Sequence, residues 1–210
     1  MGLGINDFWL FVVSGILLNL VPGPDSLYVA SRSASQGFKA GSVAALGIGC
    51  GTFVHISAAA FGLSALLASS ATAFTVLKIV GCVYLVYMGI SMALSSPTVD
   101  APARFNASSY SKIFRQGFLT NSLNPKVALF FLAFVPQFID PAEPNKALAF
   151  IVLGLVFNFN AILWGHILAW LSASIAARVQ ASQRLKQWLN RGLGGMFAFF
   201  GLRLALSELA

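Results

Sequence analysis

Two apolar segments of this chain are broken by the same kind of motif, and each break carries polar or charged residues. In the first, Gly15-Ile-Leu-Leu-Asn19-Leu-Val-Pro22-Gly23-Pro24-Asp25 interrupts a hydrophobic run. In the second, Gly117-Phe-Leu-Thr-Asn121-Ser-Leu-Asn124-Pro125-Lys126 does the same, and Gly15 and Asn19 fall opposite Gly117 and Asn121 at one constant offset. Each proline removes an amide donor, and Pro24 also disfavours helical geometry at Gly23. The carbonyls freed near Asn19 and Leu20, and the amides after Pro24, must find partners in protein or in a water-filled cavity, because lipid offers none. Paired Gly/Pro interruptions in corresponding halves of a membrane chain point to a substrate site. The alternative is a kink that serves helix packing alone, which does not call for an adjacent aspartate.

The surrounding composition sets the solvent. Of 210 residues, 58% are hydrophobic and only 9% charged, against about a quarter charged in a soluble domain. No water-exposed fold covers that much apolar surface, so the chain belongs in a bilayer. The net charge of +7 lies on residues between the apolar runs, which reads as topology determinants and contacts to anionic lipid rather than a nucleic-acid face. Cys50 and Cys82 sit in apolar runs without CxxC spacing, which argues against a disulfide or a metal site. No Lys or Arg precedes Arg32, so the first apolar segment lacks a signal peptide's basic start and is expected to remain a span.

At about 20 helical residues per hydrocarbon core, the sequence predicts an all-α membrane protein with six transmembrane helices, at 5–31, 40–67, 72–95, 115–139, 147–174 and 191–207. Residues 96–111 read as a cytoplasmic linker between a first three-helix repeat, 1–95, and a second, 112–210. Residues 175–190 read as an interfacial helix. The loops after spans 1, 3 and 5 hold nine basic residues: Arg32, Lys39, Arg104, Lys112, Arg115, Arg178, Arg184, Lys186 and Arg191. The loops after spans 2 and 4 hold one, Lys146. The positive-inside rule places the richer side in the cytoplasm and both termini outside. Three spans per half then invert the second repeat relative to the first. Counting helical rise from Arg32 and Arg115 puts both breaks roughly 14–15 Å from the cytoplasmic face, near the midplane.

The breaks supply the candidate site: Asn19, Pro22, Gly23, Pro24 and Asp25 in the first, and Asn121, Asn124, Pro125 and Lys126 in the second. Asp25 begins a half-helix, where it serves either as an N-cap or as a partner for a substrate ammonium and a proton carrier. Lys126 either pairs with Asp25 or holds a substrate carboxylate. The three asparagines either satisfy carbonyls freed by the breaks or touch ligand. Gly47-Ile-Gly49-Cys-Gly51 is expected to let another helix approach closely, with a widened substrate path as the alternative. His55 and His166 are read as hydrogen-bonded to neighbours rather than as metal ligands, with proton transfer left open. Asn158 and Asn160 are read as glue between helices. No nucleophile–base pair, phosphate loop or metal cluster appears, so neither an enzyme nor a cofactor is expected.

These residues carry a resemblance. Asn19-Leu-Val-Pro22-Gly23-Pro24-Asp25, Ser31-Arg32, Gly37-Phe-Lys39-Ala-Gly41, Asn121-Ser-Leu-Asn124-Pro125-Lys126 and Phe131-Leu-Ala-Phe-Val-Pro136-Gln137-Phe138 together resemble the LysE/RhtB family of bacterial amino-acid exporters. The resemblance covers nearly the whole chain. It implies efflux of a small amino-acid substrate across the bacterial inner membrane by antiport with protons, with the RhtB side of the family leaning to neutral substrates of the threonine/homoserine or leucine type. A passive channel or facilitator and a non-transporting scaffold remain as alternatives, and self-association is left open.

Overall fold

The computed structural model describes residues 3–63, 107–140 and 142–175, with the single positions 76, 79, 83, 87 and 90. Among these residues the regular structure is helical, with no strand beyond an isolated bridge between Ile5 and Ile139. Apart from those single positions, the expected spans 72–95 and 191–207 lie outside the described residues. So do the linker up to residue 106 and the interfacial segment from residue 176.

Helix α1 (Phe8–Leu20) is apolar on nearly every side and ends where Val21 turns to extended backbone. Helix α2 (Pro24–Gln36) restarts with Pro24 at its first position, where a missing amide is harmless. The two axes bend by 53°. After α3 (Phe38–Ser57) and its π-helical extension Ala58–Leu63, the arrangement recurs. Helix α4 (Tyr110–Ser122) stops at Leu123, and α5 (Pro125–Leu129) starts on a proline after the N-cap Asn124, bent by 45° from α4. Helix α5 runs on as a π-turn, Phe130–Phe134, and a 3-10 turn, Val135–Phe138. Helix α6 (Lys146–Ile175) follows. Among the described residues two stretches, Phe38–Gly62 and Lys146–Ser174, are long and apolar enough to cross a bilayer, and up to four if each bent pair is one span. Outward-facing apolar stripes on α1 (Trp9, Val13, Ile16) and α6 (Leu155, Phe159, Leu163, Ile167) suit lipid and would be aggregation sites in water.

One boundary differs from the sequence reading. Residues 32–39 are not a loop: α2 continues through Arg32, which is buried. Its charge is accommodated because Nη2 donates to Gln116 Oε1 at 2.7 Å, Nη1 donates to Gln36 Oε1 at 3.2 Å, and the guanidinium lies 5.5 Å over the Tyr28 ring. The helix ends instead at Gly37, whose φ of 82° and ψ of 175° only glycine adopts readily. Similarly, α4 begins inside the expected linker, at Tyr110, because Ser109 Oγ accepts the Lys112 amide as its N-cap. Gly37→Ala meets no neighbouring atom, so its cost is conformational strain of about 1–3 kcal/mol. A thermal shift of roughly 2–12 °C downward in detergent is the expected result.

Helix α3 lies between α4 and α6, and its glycines set both distances. A Cβ on Gly47 would collide with the Phe114 carbonyl, and one on Gly51 would stand 2.6 Å from the Phe118 carbonyl oxygen. From the other side, a Cβ on Gly117 would stand 2.7 Å from the Ala44 oxygen. The Gly47–Gly51 cluster therefore does what the first of its two readings expected, and the helix it admits is α4. On the opposite face, Gly49 receives the Ile162 side chain and Gly165 receives Ala45.

Two cores flank the breaks. One is aromatic, built from Phe11, Phe130, Phe131, Phe134, Phe138, Phe150 and Phe157, with Phe130 and Phe157 rings 4.6 Å apart. The other is built mostly of small or slender residues, Tyr28, Val29, Ala40, Ala44, Ala45, Ile48, Ile113 and Ala169. The connecting segments sort the same way. Beyond the aromatic core, the Asp140 amide donates to Gly4 O at 2.7 Å and the Asn6 amide to Phe138 O at 2.9 Å. Beyond the slender core, Gln36 Nε2 donates to Ser108 O at 3.0 Å, and the Ser108 amide donates to Gln36 Oε1 at 3.1 Å.

Candidate functional site

The two breaks meet, and they exchange partners. Asp25 sits in the first turn of α2, and its Oδ2 accepts from Asn121 Nδ2 at 2.8 Å and from Asn124 Nδ2 at 2.9 Å. Both amides come from the other break. Lys126 reaches the opposite way: its Nζ donates to Leu18 O and Val21 O, each at 3.2 Å, which satisfies carbonyls at the open end of α1. A Cβ on Gly23 would stand 3.2 Å from that same Nζ. Glycine here keeps the lysine close.

Two readings change with this geometry. Asp25 is not an N-cap: the cap position of α2 is Gly23, with no side-chain cap bond. Lys126 does not bond to Asp25 but to backbone carbonyls. Carbonyls at a helix end carry partial negative charge, and Leu18 O has only the Val21 amide at 3.3 Å, so the ammonium strengthens that end and meets Val21 O beyond it. Asn124 does the capping in its own break, its Oδ1 accepting the Lys126 amide at 3.0 Å.

The asparagine amides are held from behind. Asn121 Oδ1 lies 3.2 Å from Thr52 Oγ1, which shares its proton with Ile48 O at the same distance. His55 Nε2 donates to the Asn121 carbonyl at 2.8 Å, and its ring lies 6.2 Å from that of Phe131. His55 therefore stands one residue behind Asp25, while His166 Nδ1 donates to Ile162 O on its own helix at 2.8 Å. Among the described residues no three of His, Cys, Asp and Glu gather as a metal site. The expected glue of α6 leaves atoms unmatched: Asn158 Oδ1 and Asn160 Nδ2 are buried without a partner.

A narrow cavity of about 40 Å³ opens beside the breaks, and its polar lining includes Asn19, Asp25, Ser26, Asn121 and Lys126. The rest of the wall comes from α3 (Ala45, Ile48, Thr52) and from α6 (Phe157, Ala161, Trp164, Gly165, Leu168), with Leu18, Val29 and Val127 between. On a scale of about 10–15 Å³ per water this is room for about three waters. Three of the lining residues carry a polar atom that is buried without a partner: Asp25 Oδ1, Asn19 Nδ2 and Trp164 Nε1. An atom of this kind costs about 1–3 kcal/mol while unpaired, and the set contains one acceptor and two donors. The chemistry is that of a small polar head against an apolar wall.

Of the candidate residues, Asn19, Asp25, Asn121 and Lys126 line the cavity, and Asn124 holds Asp25 from outside that lining. Pro22, Gly23, Pro24 and Pro125 shape the backbone and do not line it. The sequence reading missed Thr52, Phe157 and Trp164. Each is a single residue in an apolar run, and helical spacing along α6 (157, 161, 164, 165, 168) is the one signal that groups its share of the wall.

Comparison with known proteins adds the context. The profile of a family described as LysE type translocator matches residues 16–208. A membrane protein of Pseudomonas aeruginosa is 34% identical over 214 residues, covering 99% of both chains. Leucine efflux proteins of Salmonella typhimurium and Enterobacter sp. are 27% and 29% identical over 203 residues, the former covering 96% of each chain. No solved structure matches the chain.

Proposed function

The chain belongs to the LysE type translocator family, and from that premise we propose that it is a secondary exporter of neutral amino acids, exchanging substrate for protons across the bacterial inner membrane. The observation that carries this reading is the Asp25 carboxylate. One oxygen is fixed by two amides from the opposite break while the other is buried and unpartnered beside the cavity. A fixed carboxylate with one open oxygen suits an ammonium group or a proton, and competition between the two gives exchange at one site. The apolar wall of Val29, Ile48, Phe157 and Leu168 suits an aliphatic side chain, as do relatives named leucine efflux proteins.

In this reading the two bent pairs are the broken helices of two inverted three-helix repeats, 1–95 and 112–210, joined by 96–111. Alternating access separates the half-helices on one side of the breaks at a time. Both termini face outward, and the end holding Gln36 and Ser108 faces the cytoplasm. A cysteine at position 108, in a background lacking Cys50 and Cys82, is expected to react with an impermeant reagent only from inside. Labelling in intact cells would sink the orientation.

The function itself is tested on purified protein. Leucine at about a hundred times its Kd is expected to stabilise the fold by ~2.7 kcal/mol, a rise of roughly 5–10 °C. Vesicles loaded with leucine should show counterflow. Uptake without trans-stimulation would favour a channel, and no stabilisation by any amino acid would favour a scaffold.

A further inference from the structure

The cavity holds two kinds of unmatched atom, and their difference defines the ligand more closely. Asp25 Oδ1 is buried without a partner and, as an ionised carboxylate oxygen, only accepts. Trp164 Nε1 lines the same cavity, is buried without a partner, and only donates. Asn19 Nδ2 adds a second unmatched donor from the last turn of α1. An amine satisfies the first atom and leaves the other two stranded. A carboxylate does the reverse. A zwitterion satisfies all three.

Lys126 is the obvious holder of a substrate carboxylate, but two of its three N–H groups already go to Leu18 O and Val21 O, which leaves it one to offer. Trp164 Nε1 and Asn19 Nδ2 belong to lining residues and carry no bond at all. We propose that Trp164 is a substrate-binding residue: its indole N–H, with the Asn19 amide, holds the substrate's carboxylate while Asp25 holds the ammonium. This rests on the exporter reading and makes α6, not only the two breaks, part of the recognition site.

The test compares leucine with isoamylamine, which keeps the side chain and the ammonium but lacks the carboxylate. Trp164→Phe preserves a ring of similar shape and removes the N–H. In full-length purified protein it is expected to weaken leucine binding about 10- to 100-fold, the range of one hydrogen bond to a charged group, and to leave isoamylamine binding unchanged. Unaltered leucine affinity in W164F overturns the inference. So does an equal loss for both ligands, which would make the ring merely a wall. A second measurement does not depend on that variant: with Trp9, Trp170 and Trp188 replaced by Phe, Trp164 emission should shift with leucine and not with isoamylamine. An equal response to the two overturns the assignment. Wild-type protein that binds no amino acid overturns the exporter reading and this one with it. Wild-type binding of leucine beside an indifferent W164F overturns this one alone.

Discussion

Asp25→Asn is expected to abolish gradient-driven efflux of leucine from reconstituted vesicles while the protein still folds and inserts. The geometry separates the two effects. Asn121 Nδ2 and Asn124 Nδ2 both donate to Asp25 Oδ2, at 2.8 and 2.9 Å. An asparagine turned so that its carbonyl oxygen faces them keeps both bonds, now neutral rather than charge-assisted. The difference is about 1–3 kcal/mol in all, a fall in Tm of roughly 2–12 °C, which a folded protein tolerates. Its amide nitrogen then replaces the open carboxylate oxygen at the cavity. A donor faces the substrate ammonium where an acceptor stood, and no proton is taken up or released in any conformation. Wild-type efflux with unchanged pH dependence would reduce Asp25 to a bridge between the two breaks and move coupling elsewhere, with His55, behind Asn121, the next group to replace.

The breaks were legible because proline and glycine act on their own backbone. Pro22-Gly23-Pro24 and Asn124-Pro125 end one helix and start another wherever they fall, so the half-helices and their polar residues can be placed without knowing the neighbours. The glycines of α3 were legible for a similar reason, since a missing side chain permits close approach whatever arrives. What failed depended on distant partners. Arg32 looked like a loop residue because a charge in an apolar protein normally marks a boundary. Gln116 and Tyr28, from α4 and its own helix, are what let it stay inside. For Lys126 the sequence offers Asp25 or a substrate carboxylate as partner, and what it does not reveal is the open end of α1, which places two carbonyls within reach. Trp164 carries no local mark at all. It becomes part of the site only because Gly165 and Ala45 let α6 approach α3.

That dependence of the site on helix approach gives the second large effect. Gly47→Ala is expected to destabilise the protein by about 3 kcal/mol, lowering Tm by roughly 6–12 °C, and Gly47→Val to yield no folded protein. The atom in the way is the Phe114 carbonyl oxygen, which belongs to a helix backbone and cannot swing aside as a side chain does. Relief requires α4 to move as a body. A Cβ added at Gly51 or Gly117 would stand 2.6 or 2.7 Å from a carbonyl oxygen across the same interface, so no neighbouring position absorbs the shift. Helix α4 also carries Asn121, whose amide fixes Asp25 and whose carbonyl receives His55. Pushing α4 outward therefore loosens the carboxylate as well as the fold, and the surviving Gly47→Ala protein should bind leucine more weakly than its stability alone explains. Gly62→Ala supplies the control: nothing lies within 4 Å of the added carbon, and its Tm should stay within about 2 °C of wild type. A Gly47→Ala protein as stable as Gly62→Ala, with wild-type leucine affinity, would mean that α3 and α4 do not pack backbone to backbone.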